Sequence, residues 1–83
     1  MKLLAIYDKK AMSYHPVFCV PNMVTASRSL DKAVNAGQGD FADYPEDFAL
    51  YITGEFNEIT GVIKPCVPPQ LAHELIEFVK KDQ

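Results

Sequence analysis

Tyr7 and Tyr51 are the residues whose types and placing best suit a chemical task. Each falls at a position of opposite strand parity to the apolar residues around it, since side chains alternate along a strand. Phe18 can take the same parity on a third strand. Lys2, Lys9, Lys10 and Lys64 lie nearby in the chain. Outward aromatic rings stack nucleobases, and ammonium groups hold phosphates. The bland alternative is that these rings cover the second face of a sheet or bury in a dimer interface.

Other reactive groups are sparse. His15 and His73 are the only histidines, and neither has Asp, Cys or His at a ligand spacing, so no metal or cofactor is expected. His73 precedes Glu77 by four residues, an ordinary surface pair on a helix. Cys19 and Cys66 form no CxxC motif. Cys19 reads as a small core residue in an apolar strand, and Cys66, between prolines, as partly exposed. Asp40, Asp43, Glu46 and Asp47 cluster in one loop but match no calcium-loop spacing. A solvated loop is the favoured reading, with Glu46 or Asp47 fixing the turn after Pro45. No nucleophile has a base and an oxyanion hole in view, so an enzyme is not expected.

The chain of 83 residues is long enough for one domain, residues 1–83, with one modest core. Apolar content of 48% and charged content of 23% are ordinary for a globular protein. The net charge of −3 argues against coating nucleic acid by bulk electrostatics, while leaving room for a local basic patch. A small core also makes a homodimer a natural source of extra burial. The apolar run Leu3 to Tyr7 is too short to span a bilayer, so no membrane association is expected. The absence of a signal-peptide pattern predicts a reducing compartment and free thiols.

The elements that must position these residues follow from periodicity. Lys2 to Asp8 reads as a first strand, with Leu4 and Ile6 toward the core and Leu3, Ala5 and Tyr7 on the other face. Pro16 to Pro21 reads as a second strand, bounded by prolines and so at an edge. Asn22, or else Thr25, caps a helix whose Met23, Ala26, Leu30, Ala33 and Val34 share one face. Asn35 to Gly39 stops it, with Gly37 as the left-handed residue. Phe48 to Thr53 alternates as the central strand, with Phe48, Leu50 and Ile52 on one side, and breaks at Gly54. Asn57 to Gly61 turns the chain, and Val62-Ile63-Lys64 returns as a hairpin partner. Pro65 to Pro69 reads as a stiff linker into a second helix, Gln70 to Lys81, with Leu71, Leu75, Phe78 and Val79 on one face and a Glu77–Lys81 pair. The expected fold is α+β: a mostly antiparallel four-stranded sheet with both helices on one face, in the order β-β-α-β-β-α.

Several stretches also carry a family likeness. They are Asp8-Lys9-Lys10-Ala11, then Asn22 with Ala26 and Arg28, Asn35, and the run Tyr44-Pro45-Glu46-Asp47-Phe48-Ala49-Leu50-Tyr51 with Gly54, Phe56 and Thr60-Gly61. Over about residues 1–64 they resemble the small non-structural protein of gokushoviruses, microviruses with small circular single-stranded DNA genomes. The specific part is the Pro-Glu-Asp-Phe-x-Leu-Tyr-x-x-Gly-x-Phe core. That family is likened to protein C of the coliphage microviruses, which shifts replication from duplex synthesis to single-strand synthesis and packaging. The resemblance implies a non-structural role in genome synthesis and packaging, in the host bacterial cytoplasm, and no catalytic residues. The expected direct activity is DNA binding through Tyr7, Lys9, Lys10, Phe18, Tyr51 and Lys64. The alternative is a homodimeric interaction module that docks on viral or host replication or procapsid proteins without touching DNA.

Overall fold

Alternating apolar residues in two segments build the centre of the sheet. The computed structural model describes residues 1–80. Strand β1, Lys2–Asp8, pairs antiparallel with strand β4, Phe48–Phe56, so that Ile6 faces Leu50 and Leu4 faces Ile52. Cross-strand partners share a face. Leu4, Ile6, Phe48 and Leu50 therefore form one apolar surface, and all four belong to the core. A bulge at Thr53 resets the register, bringing Leu3 opposite Gly54.

Helix α1, Met23–Val34, closes over that surface. Ala26, Leu30 and Val34 recur at helical spacing and enter the same core cluster. Asn22 is the N-cap: its Oδ1 accepts the Thr25 N–H at 2.9 Å, satisfying a donor the helix itself leaves open. The C-cap is Asn35, whose Nδ2 donates to the Asp31 carbonyl at 2.8 Å. Gly37 lies two residues beyond, at φ +83°, so it turns the chain after the helix has already ended. The acidic stretch that follows is more regular than a loop. Asp40–Asp43 forms a single helical turn, α2, whose Phe41 packs on Phe48 at 4.8 Å between ring centroids. A 3₁₀ turn, Pro45–Asp47, leads into β4.

The sheet has five strands where four were expected, because a two-residue strand forms ahead of the predicted Pro16 to Pro21 strand. Strands β2, Ser13–Tyr14, and β3, Phe18–Val20, pair in succession with the same side of β1. Pro16 lies between them and has no N–H for the ladder. The order across the sheet is β2-β1-β4-β5, with β3 also on β1, and every pairing is antiparallel.

The largest departure is at the C-terminal end. The predicted helix from Gln70 to Lys81 is absent among the described residues. Instead β5, Ile63–Glu74, runs along β4, and a 3₁₀ turn, Leu75–Phe78, follows. The apolar spacing of Leu71, Leu75 and Phe78 suited a helix, yet pairing with the open edge of β4 wins over that local preference. Leu75 still enters the core, fully buried. The predicted linker Pro65 to Pro69 is part of this strand. Pro65 faces Gly54 and Gln70 faces Ile52, so the residues between them bulge out opposite Thr53. The predicted Glu77–Lys81 pair lies outside the described residues. Across the far end, Asn57 closes the β4–β5 turn: its Oδ1 accepts the N–H groups of Ile59 and Thr60 at 2.9 and 3.1 Å. The predicted break at Gly54 does not occur, since β4 continues to Phe56.

Candidate nucleic-acid interface

On the side of the sheet away from Leu4 and Leu50, β1 and β4 carry alanines beneath aromatic rings. Ala5 pairs with Tyr51 and Tyr7 with Ala49, while Tyr7 also pairs with Tyr14 of β2. The three rings meet as a cluster. Tyr7 and Tyr14 have centroids 4.8 Å apart, Tyr14 and Tyr51 5.6 Å, and Tyr7 and Tyr51 6.1 Å, the latter two pairs edge to face. Ala5 and Ala49 are completely buried on this face, which is what rings folded over small residues achieve. Tyr7 and Tyr51 are half-buried, and Tyr14 is 45% exposed. Leu71 of β5 faces Tyr51 and extends the apolar surface. The tyrosines thus seal their own side of the sheet and still present ring surface to solvent.

A tight turn brings Tyr14 into the cluster. After β1, the Asp8 carboxylate accepts the N–H groups of Lys10 and Ala11 at 3.0 and 3.1 Å. Met12 takes φ +57°, and the chain returns along β1. Tyr14 was missed in the sequence because β2 is only two residues long. Its signal was the distance from Tyr7 across a polar turn, which is hairpin geometry.

The lysines divide. Lys9 leaves the end of β1 and pairs with Glu74, and its Nζ also donates to the Glu46 carbonyl at 3.2 Å. The hydrogen bond to Glu74 raises the Lys9 pKa above its ordinary value, so this lysine is a firmly charged but neutralised partner. Lys10 sits in the turn, exposed. Lys64 does not join them. It faces Glu55, six residues along β4 from Ala49, which is about 20 Å at the usual rise per residue. Glu55 also binds Lys2 at 2.8 Å, and that hydrogen bond lowers the Glu55 pKa.

Phe18 is a correction. It faces Leu4, and Val20 on the same strand is a core residue, so its ring lies on the helix-bearing surface rather than beside Tyr7 and Tyr51. Lys64 shares that opposite parity through Glu55 and Lys2. Cys19 is a second correction: it is exposed, on the short edge strand β3, and not a core residue. Cys66 is partly exposed, and its Sγ lies 3.5 Å from the Pro68 carbonyl.

The expected His73–Glu77 pair gains a third member that was not anticipated, Ser27. Ser27 Oγ of α1 lies 3.4 Å from His73 Nε2, and His73 Nδ1 lies 3.4 Å from Glu77 Oε1. The order serine, histidine, carboxylate is that of a hydrolase relay. Ser27 is the fifth residue of α1, however, where its own N–H and those that follow are spent on the helix. The arrangement ties β5 to α1. Glu77 also accepts the Glu74 N–H at 2.6 Å, and this bond, with His73 adding to it, lowers the Glu77 pKa. Among the described residues no group of three His, Cys, Asp or Glu side chains is placed to hold a metal ion. No helix among them is long and apolar enough to cross a membrane.

The sequence model of the Phage ORF5 protein family matches residues 1–78. The chain belongs to this family. It is therefore a bacteriophage protein, and the match runs past Lys64 through β5 and the 3₁₀ turn after it. No curated protein and no solved structure matches the chain.

Proposed function

We propose that this phage protein is the non-structural protein of a gokushovirus and handles the single-stranded DNA genome during synthesis and packaging. It acts in the cytoplasm of the host bacterium, beside viral or host replication and packaging proteins. The observation that carries the reading is the cluster of Tyr7, Tyr14 and Tyr51 on one sheet face, with ring surface still exposed and Lys10 at its margin. Unpaired bases stack on such rings with little regard to sequence, and each stacked base contributes roughly 1–3 kcal/mol by alanine substitution. Lys10 contributes to holding the strand, whereas Lys9 is already matched by Glu74.

Replacing Tyr7 and Tyr51 together by Leu preserves apolar bulk over Ala5 and Ala49 and removes two of the three stacking rings. Affinity for a labelled single-stranded oligonucleotide should fall at least tenfold, read by anisotropy, with circular dichroism unchanged. Unchanged affinity would remove Tyr7 and Tyr51 from the reading.

A second reading is self-association through the same face, and a specific observation favours it. The Lys9–Glu74 pair leaves the face nearly neutral, and Leu71 adds exposed apolar surface beside Tyr51. Sedimentation of the same variant separates the two: a shift from dimer to monomer with DNA affinity intact identifies the face as a contact between copies.

A further inference from the structure

Apart from Lys10 in the turn after β1, the cations that form no ion pair among the described residues lie away from the tyrosine face. Of the cations among the described residues, Lys2 and Lys9 are engaged with Glu55 and Glu74. Arg28, Lys32 and Lys80 form no ion pair among the described residues, and all three are exposed. They line a single groove between α1 and the segment after the last 3₁₀ turn, together with Asp31, Asn35 and Ala36. Arg28 and Lys32 are one helical turn apart, so their Cβ atoms stand about 5–6 Å apart on the same face. The third cation is brought in by the helix end. Asn35 donates to the Phe78 carbonyl at 2.8 Å and accepts the Lys80 N–H at 3.4 Å, which holds Lys80 against α1. Asp31, the one acid among the described lining residues, is engaged with Asn35 Nδ2 at 2.8 Å and makes no ion pair with Arg28.

From this geometry we infer that the groove holds the phosphate backbone of single-stranded DNA. Among the described residues the lining carries a formal excess of two positive charges, three cations against Asp31, on a chain whose net charge is −3, so the groove is a local exception to the bulk charge. The lining decides between nucleic acid and an acidic protein. Protein interfaces need a buried aromatic or aliphatic anchor, and among the described lining residues the only apolar one is Ala36. Phosphate contacts need only donors and charge. The groove lies with α1 on the layer opposite the tyrosines, so a strand using both must pass around the sheet, or two segments of a long strand occupy them separately. The inference rests on single-stranded DNA being the ligand, as proposed above, and not on the tyrosines being its stacking platform.

The test uses the full chain, Arg28→Gln/Lys32→Gln and Tyr7→Leu/Tyr51→Leu. Anisotropy is measured against oligothymidylate and against an abasic deoxyribose-phosphate oligomer of the same length, over a series of salt concentrations. Both cation positions are exposed on a helix, and circular dichroism verifies that the variants fold. Loss of two phosphate contacts should flatten the slope of log affinity against log salt by about 1.4, at about 0.7 per contact on a single strand. The flattening should occur on both oligomers, while the tyrosine variant leaves abasic binding intact. An unchanged slope in Arg28→Gln/Lys32→Gln overturns the groove, as does a wild-type protein that ignores the abasic oligomer. If the tyrosine variant binds oligothymidylate like wild type while the cation variant does not, the groove stands and Tyr7 and Tyr51 fall as stacking residues. Tighter binding to polyglutamate than to either oligomer at equal salt would overturn it in favour of an acidic protein partner.

Discussion

Strands β4 and β5 lie side by side, yet they are opposite kinds of strand. β4 is paired on both edges, and Phe48, Ala49 and Leu50 at its start are all buried. β5 is paired on one edge, carries Pro65, Pro68 and Pro69, and leaves most of its first nine residues in solvent. Val67, in the bulge, is 86% exposed. Prolines and a bulge on an outer strand deny further chains a ladder to join. The core sits where β1, β4, α1 and Leu75 meet, while the β4–β5 turn adds surface and little burial.

The sharpest way to break this contrast is to truncate one residue in each region. Leu50→Ala should destabilise by about 2–5 kcal/mol, the usual loss for a fully buried leucine. Ile59→Ala, at a side chain 91% exposed in the turn, should stay within about 0.5 kcal/mol of wild type. Equal shifts in urea midpoint would mean that the arm is part of the core. The next largest effect probes the seam between the strands. A Cβ built on Gly54 would lie 2.6 Å from the Lys64 carbonyl oxygen, a backbone atom that cannot swing away. Gly54→Ala should cost about 1–3 kcal/mol through overpacking, and a melt that overlays wild type would show that the β5 edge yields freely.

Smaller effects sharpen the same picture. Asn22→Ala removes the acceptor of the Thr25 N–H and should cost about 1 kcal/mol. A thermal midpoint unaffected by it would place the helix start elsewhere. The smallest effect concerns the hold of β5 on the following turn. The Glu77 pKa is depressed by the Glu74 N–H, so its stabilisation is full above the unfolded value of about 4.3 and is lost as pH falls through the lower folded value. Glu77→Gln should therefore trail wild type by a few tenths of a kcal/mol at pH 6, as an exposed group allows, and converge with it below pH ~4. Parallel stability curves from pH 6 to pH 3 would show that the Glu77 charge contributes nothing.

What the chain determined by itself is local. The Asn22 cap, the apolar face of α1, the alternation of Phe48, Leu50 and Ile52, and the Asn57 turn each depend on residues within a few positions of one another, and each is present. The parity of Tyr7 and Tyr51 belongs with them, since alternation along one strand sets it. What the tertiary structure alone decided involves partners far apart. Gln70 to Glu74 has apolar spacing that fits a helix, and only the vacant edge of β4, some twenty residues earlier, makes it a strand. Phe18 takes its face from the register against β1, which its own short, proline-flanked stretch cannot set. Lys9 loses its free charge to Glu74. Arg28, Lys32 and Lys80 become neighbours because Asn35 holds the chain that follows β5 against the helix end. Capping, alternation and turn chemistry act within a few residues and can be read along the chain. Edge pairing, register and charge neighbourhoods arise only when distant segments compete for the same partners, so the fold had to decide them.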